Sequence, residues 1–284
     1  MFRRFDVHRV NSIAEAVELR KRFGEDAAIY AGGTEILLAM KMGLARWPHL
    51  IDIKPIVALR TVSAANGTLR IGATATHWDL ERDPIVARTL PALARLERNV
   101  ANVRVRAVGT LAGNLAFAEP HADPPALLLA LGARVLLEGP AGSRSLAVGE
   151  LITGMYETAI GAEEVIVAIE VPLPAPETRI AYVKFQILER PSVGVAAVAT
   201  LRDGRFVGAP SVVVGAVDEI ARRVKTDQLA GADPKDPGAL DALAEAARAA
   251  VDPVADLAGS ADYKRELVGV FARRAIASLV AEAA

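Results

Sequence analysis

Val108-Gly109-Thr110-Leu111-Ala112-Gly113-Asn114-Leu115 runs on through Ala116-Phe117-Ala118-Glu119-Pro120-His121-Ala122-Asp123, and the rest of the chain is organised around it. It opens on closely spaced glycines, passes an Asn and an Asp, and leads into the apolar run Pro124 to Leu131, which reads as a buried helix. Gly109 and Gly113 can adopt backbone angles closed to other residues, and they let a ligand lie against bare peptide. Thr110 and Asn114 add polar groups. Successive backbone N–H groups in such a loop can converge on a phosphate-bearing or flat cofactor. A tight turn between two packed elements reads the local pattern equally well.

A second glycine loop lies upstream. Ala27-Ala28-Ile29-Tyr30 is short, apolar and strand-like, Ala31-Gly32-Gly33-Thr34-Glu35 follows, and Ile36 to Met42 resumes as a helix. A strand, a glycine turn and a helix N-terminus together can favour an anion, above all phosphate, and a turn that merely needs positive φ reads the pattern at least as well. The spacing is neither the G-x-G-x-x-G dinucleotide fingerprint nor a Walker A loop.

Composition narrows the function classes. The 284 residues allow about two domains. Acidic residues number 34 against 33 basic, which argues against a nucleic-acid partner. The apolar fraction of 52% with almost no net charge hints at burial inside a larger assembly. The chain has no cysteine, so it has no disulfide, no thiolate-held iron–sulfur cluster and no thiol catalysis. Its start lacks a signal-peptide core, and no uncharged apolar run reaches the ~18 residues of a membrane span. The expectation is a soluble, cytoplasmic protein.

In chain order, Ser12 and Glu15 predict a capping box for a helix closed by Gly24. Strands are expected at Leu50–Ile53 and on either side of the hairpin signal Asn66-Gly67. A helix starts near Thr76 or His77, and one longer helix is expected from about Ile85 to Asn99. Strands follow at Ala133–Leu137, Ser143–Val148 and Glu164–Val171. The prolines at 172, 174 and 176 mark a domain boundary. Beyond it come three strands, Ile180–Leu188, Val193–Arg202 and Phe206–Val217, with Asp203-Gly204 as a hairpin turn. Helices at Gly238–Val251 and Ser260–Glu282 complete an α+β layout.

Little else carries chemistry. His8, His49, His77 and His121 show no metal-ligand spacing. His77 and His121 flank the glycine loops, where a ligand contact and a cap or turn role are both open. Ser143 and Ser145 have no neighbouring base, and no nucleophile elbow exists. Residue by residue, the sequence yields a cofactor-binding domain and a smaller domain of unassigned task.

The combination resembles a known family. Ala31-Gly32-Gly33-Thr34-Glu35-Ile36, Ile71-Gly72-Ala73-Thr74-Ala75-Thr76-His77, Arg106 through Ala116 and Asp123-Pro124-Pro125-Ala126-Leu127-Leu128 stand in the order and spacing of the FAD-binding medium subunit of molybdenum hydroxylases, the carbon monoxide and xanthine dehydrogenase relatives. The resemblance covers the whole chain. It implies an α+β fold: an FAD-binding domain of the vanillyl-alcohol-oxidase type over 1–173, with subdomains of about 1–55 and 56–173, and a C-terminal α+β domain over 178–284. It implies an oxidoreductase component that passes electrons from 2Fe–2S clusters through flavin to an external acceptor. The implied partners are a small subunit with two 2Fe–2S clusters and a molybdopterin-containing large subunit, in a dimer of heterotrimers. The absence of cysteine excludes the iron–sulfur insertion of the benzoyl-coenzyme-A reductase branch. A free-standing flavin oxidoreductase of the same fold and a non-catalytic scaffold subunit that has lost FAD are the alternatives.

By the same resemblance, Ala28, Ile29, Tyr30, Ala31, Gly32, Gly33, Thr34, Glu35 and Ile36 wrap the FAD pyrophosphate. Thr76, His77 and Val100 belong to the site. Gly109, Thr110, Ala112, Gly113, Asn114 and Ala116 line the second loop. Asp123 hydrogen-bonds the ribityl or adenosine part, and Val165 or Ile166, with Lys184, lies near the flavin ring. The family usually has glycine where this chain has Ala112, whose methyl either narrows the cofactor space or points away from it. No catalytic residue and no metal ligand is expected.

Overall fold

A computed structural model describes residues 3–187 and 189–281. The chain divides into two compact units, one of residues 1–118 and 134–171, the other of residues 119–133 and 172–284.

The first unit starts with a parallel sheet in which His49–Asp52 lies between Asp6–Arg9 and Ala27–Tyr30. Parallel neighbours need crossovers, and Ile13–Phe23 and Ile36–Met42 supply the helices. Ser12 caps the first, accepting from the Glu15 N–H at 3.2 Å. The expected capping box closes differently: the Glu15 carboxylate takes the N–H of Asn11, one residue before the cap. Gly24 ends that helix at φ 53°.

A five-stranded sheet follows, ordered Val62–Ala65, Thr68–Gly72, Val165–Pro172, Arg134–Gly139, Gly142–Ala147. Asn66 and Gly67, at φ 51° and 74°, form the predicted turn between its first two strands. The central strand Val165–Pro172 is buried on both faces. Its Val165 and Val167 join Ala16, Val17, Ala27 and Ile51 in one apolar cluster, which fastens the parallel sheet to the antiparallel one. Each valine or isoleucine among them contributes about 1.5–3 kcal/mol when removed from water.

The single helix expected over Ile85–Asn99 is two, Pro84–Thr89 and Pro91–Arg98. Pro91 has no N–H to continue the first, and Leu90 turns out of the helical region at φ −146°. Val103–Val108 and Leu111–Phe117 are further short helices.

The second unit is built on an antiparallel sheet ordered Thr178–Gln186, Pro191–Arg202, Ser211–Gly215, Arg222–Arg223, with Arg205–Phe206 also pairing to Pro191–Arg202. The expected three strands are therefore five. The predicted strand over Phe206–Val217 breaks because Gly208 takes φ 75° and Pro210 offers no ladder donor. Val193, Val195, Ala197 and Ala199 face the helices Pro237–Ala249 and Ala261–Ala281. The opposite face is covered by Pro124–Ala130, whose Ala126 lies against Gly215. That double cover explains the nearly unbroken burial of Pro191–Arg202.

Candidate functional site

In the first unit the three glycine-bearing stretches meet. The loop after Ala27–Tyr30 leaves from the carboxyl end of a parallel strand, where open sheets hold their ligands. A β-carbon on Gly32 would stand 2.2 Å from the Val108 carbonyl oxygen and 2.7 Å from the Gly109 Cα. Only glycine lets the two loops approach this closely. The Gly109 carbonyl accepts from the His77 N–H at 2.9 Å, and Thr76 and Thr110 form an isolated β-bridge. The space beside Gly109 is bounded by the Val105 carbonyl, the His77 ring and the Thr34 methyl.

Each loop is fixed by residues outside it. Lys54 donates to the Ala31 carbonyl at 3.1 Å and to buried Asp52 at 2.6 Å. Its ammonium also lies 3.7 Å from the centre of the Tyr30 ring, against which Gly33 packs at φ +77°. Thr76 caps His77–Arg82 in a full capping box with Asp79, and Arg60 holds Asp79 through two hydrogen bonds. Burial raises the Asp79 carboxyl, but the bonds from Arg60 and Thr76 outweigh it and leave it below its ordinary value. The His77 imidazole meets the wholly buried Glu97 at 2.5 Å. Arg106 spans Glu81 and the Val100 carbonyl, at 3.2 and 3.0 Å.

Thr110 caps Leu111–Phe117 by accepting from the Gly113 N–H at 3.0 Å. Ala112 lies on the buried side of that helix with Leu111 and Leu115, while Gly113 and Ala116 are exposed. The Ala112 methyl therefore packs into the protein, away from the face that Gly113 and Ala116 present.

Two observations test whether this cradle suits FAD. Among the described residues no acceptor meets the N–H groups of Gly32, Gly33 and Thr34, which leaves donors for phosphate oxygens. The Asn114 Oδ1 is buried without a partner, an arrangement proteins rarely tolerate unless a ligand completes it. Donors for a phosphate and an acceptor for a hydroxyl or ring N–H fit the cofactor.

Of the other expected residues in this unit, Ala28, Ile29 and Tyr30 lie in the strand, Glu35 and Ile36 open the helix, and Val100 is buried beneath Arg106. Val165 belongs to the apolar cluster, and Ile166 beside it is buried.

The second unit contains Asp123 and Lys184. Asp123 is 3% exposed. Its Oδ1 accepts from the Tyr182 hydroxyl at 2.9 Å and pairs with the Lys184 ammonium at 3.0 Å, and Lys184 also reaches Oδ2 at 3.3 Å. Burial, with the Asp123 carboxylate beside it, pushes the Tyr182 phenol well above its ordinary range. A neighbouring network sets His121 between Glu119, at 3.1 Å, and Asp256, at 3.4 Å. Arg190 also pairs with Glu119, and buried Lys264 pairs with Asp256. Tyr182 and Lys54 escaped the sequence reading, and Arg106 entered it only as the first residue of the second glycine stretch. Of the two missed residues, only Lys54, two residues beyond Asp52, had a local signal. Among the described residues no group of three His, Asp or Glu side chains could hold a metal.

The comparisons with known proteins agree over the whole chain. Residues 3–174 match the FAD binding domain in molybdopterin dehydrogenase, and residues 189–279 match the CO dehydrogenase flavoprotein C-terminal domain. The carbon monoxide dehydrogenase medium chain of Hydrogenophaga pseudoflava is 37% identical, covering 96% of each chain. The nicotine 6-hydroxylase medium subunit of Paenarthrobacter nicotinovorans is 30% identical over 93% of each. Among solved structures, carbon monoxide dehydrogenase from Hydrogenophaga pseudoflava superposes with a TM-score of 0.95 at 35% identity, covering 99% of both chains. Quinoline 2-oxidoreductase from Pseudomonas putida 86 gives 0.94 at 31%, covering 100% of this chain and 99% of the other. With two family models in sequence and relatives aligned end to end, the chain belongs to the FAD-binding medium chains of the carbon monoxide and xanthine dehydrogenase family.

Proposed function

We propose that this chain carries FAD for a cytoplasmic heterotrimeric molybdenum hydroxylase. In this reading it accepts electrons from the 2Fe–2S clusters of a small subunit and delivers them to an external acceptor, while a molybdopterin-containing large subunit performs the hydroxylation. Two such trimers form the full assembly. The observation that carries the reading is the closure of the Gly32 loop against Val108 and Gly109. It brings free N–H groups beside a helix that holds an orphaned Asn114 oxygen.

FAD, when bound, supplies a store that takes electrons singly and releases them singly or in pairs. The chain's own residues bind and orient it. The N–H groups of Gly32, Gly33 and Thr34 receive pyrophosphate oxygens, and Thr34 adds a hydroxyl. Asn114 offers its unpaired oxygen from the second loop. The resemblance divides the chain into a flavin-binding domain over 1–173 and a C-terminal domain over 178–284, whereas residues 119–133 belong to the second compact unit. The resemblance assigns Asp123 and Lys184, which lie in the second compact unit, to the same cofactor.

The test is purification of the chain with whatever subunits accompany it, followed by metal analysis and FAD reconstitution. Co-purifying iron–sulfur and molybdenum subunits and a yellow chromophore are expected. Asn114→Ala and Asp123→Ala should lower FAD retention. His49→Ala should leave it unchanged, because His49 sits at the amino end of its strand, stacked on Phe23. A colourless protein that takes up no FAD would refute the reading, and equal FAD content in all three variants would refute the site.

A further inference from the structure

The hairpin of Ile152–Gly154 and Glu157–Thr158 turns through Met155 and Tyr156, since Gly154 stands opposite Glu157. Tyr156 sits at φ 59°, in the left-handed region. A turn position of that kind suits glycine or asparagine, and a bulky aromatic residue there is an outlier. The hairpin turns over Asn66-Gly67 and Asp203-Gly204, also at positive φ, use the expected residues.

The strained tyrosine is tied to a second residue at positive φ. Its N–H donates to the Ala118 carbonyl at 3.0 Å, and Ala118 ends Leu111–Phe117 at φ 51°. Its ring meets Phe117 edge-on, with centroids 5.4 Å apart. Tyr156 is nonetheless 52% exposed, so burial within the protein does not explain a large ring at this position. Strain of this kind is kept where a function uses it. The helix that Tyr156 closes is the one that carries Asn114, whose Oδ1 is buried without a partner. Gly113 and Phe117, four residues apart, share one side of that helix. A β-carbon on Gly113 would touch only the Thr110 hydroxyl, so the space over this side is open up to the two rings.

We propose that Tyr156 is a wall of the cofactor site, on which the isoalloxazine ring of FAD stacks. With the pyrophosphate at the Gly32 loop, the flavin end of the cofactor runs along the Gly113 side of the helix toward Phe117 and Tyr156. The fixed turn and the edge contact with Phe117 hold the phenol at one angle, which stacking requires. A half-exposed wall suits the isoalloxazine and not the adenine, because the redox ring must stay within reach of an electron donor and an acceptor. The inference rests on the FAD reading and adds a residue to it, and every residue it uses belongs to the first compact unit.

Three readouts on the intact complex test it: FAD titration of deflavinated protein, emission of the bound flavin, and melting of the FAD-free form. Tyr156→Ala should weaken FAD binding about tenfold and raise flavin emission, because the stacked phenol is gone. Tyr156→Phe keeps a ring and should hold affinity within about twofold of wild type. Tyr156→Gly loses the ring and the strain together. Its FAD-free form should melt above that of Tyr156→Ala and yet bind FAD no better. A merely structural tyrosine would give the opposite, with affinity recovering as stability does. Wild-type affinity and emission in Tyr156→Ala and Tyr156→Gly would overturn the inference and spare the FAD reading. Unchanged emission beside a loss of ADP competition would put the adenine on Tyr156 and overturn it as well. Failure of the wild-type complex to take up FAD would instead refute the underlying reading, and the inference with it.

Discussion

The two compact units are held together in contrasting ways. In the first, the material is bare backbone: Gly32 lies against Val108 and Gly109, amides are left over, and a single side-chain oxygen on Asn114 is unpaired. In the second, the material is charge held under cover: a carboxylate, an ammonium and a phenol on Asp123, Lys184 and Tyr182, with a second network around Glu119 and His121. Backbone cradles are specified by what is missing from a side chain, and they fail when something is added. Charge networks are specified by partners, and they fail when something is removed.

The largest effect should come from removal in the charged unit. Asp123→Ala takes away the carboxylate 3.0 Å from the Lys184 ammonium and the acceptor 2.9 Å from the Tyr182 hydroxyl. Losing one member of a buried pair costs about 3–5 kcal/mol. Chemical denaturation of the FAD-free protein should therefore register the loss even before FAD retention is assayed. A stability change under about 1 kcal/mol would mean that water reaches Lys184 and that the pair is not a buried one.

Addition in the backbone unit comes next. Gly32→Ala puts a methyl into the Val108 carbonyl, and the loops must part to accept it. Overpacking of this kind costs about 1–3 kcal/mol. FAD affinity should fall further than stability does, because the N–H groups lose their common aim. Gly43→Ala is the control: its φ of +75° makes it costly too, yet its β-carbon meets open space. It should reduce stability by about 1 kcal/mol and leave FAD affinity alone. If both substitutions lower FAD affinity alike, the loop-to-loop contact is not what shapes the cradle.

The same contrast explains what the sequence made legible. A glycine's meaning is local, so the turns at Asn66-Gly67 and Asp203-Gly204 and both loops could be read from a few neighbours. Caps are local as well, and Ser12 and Thr76 serve where expected. The misplaced boundaries had local causes that were visible but outweighed by apolar periodicity: Pro91 inside one helix, and Gly208 with Pro210 inside one strand. Arg222–Arg223 is two charged residues long and pairs only because Ser211–Gly215 leaves an edge open. The charged networks had no such signal. Tyr182 is 59 residues from Asp123, and His77 is 20 from Glu97. Their pairing follows from strand register and helix placement, which exist only once the fold does.

Asn114 offers a prediction of opposite sign for stability and function. Its Oδ1 is buried without a partner, which costs the FAD-free fold about 1–3 kcal/mol. Alanine removes that cost and is the better helix former. Asn114→Ala should thus raise the FAD-free melting temperature by roughly 2–4 °C, if about 1 kcal/mol is recovered, while FAD binding weakens. A lower melting temperature would mean that the oxygen is satisfied within the protein and is not waiting for a ligand.

The smallest effect is one of pH. Glu119 is a buried carboxyl, and burial alone would raise it. The hydrogen bond from His121 and the charge of Arg190 more than offset that, and it ends below the ordinary value of 4.5. A carboxyl lowered by folding stabilises the protein above its unfolded value, and that contribution is lost as pH falls through the folded one. The N–H groups of the glycine cradle have nothing to titrate in this range. Below about pH 4.5 the Glu119 network should loosen, and denaturant midpoints should fall as acid is added. Glu119→Gln should lower stability at pH 7 and flatten the acid limb, because the group whose protonation drives it is gone. If wild type and Glu119→Gln lose stability in parallel from pH 6 to pH 3, the network contributes nothing to acid sensitivity.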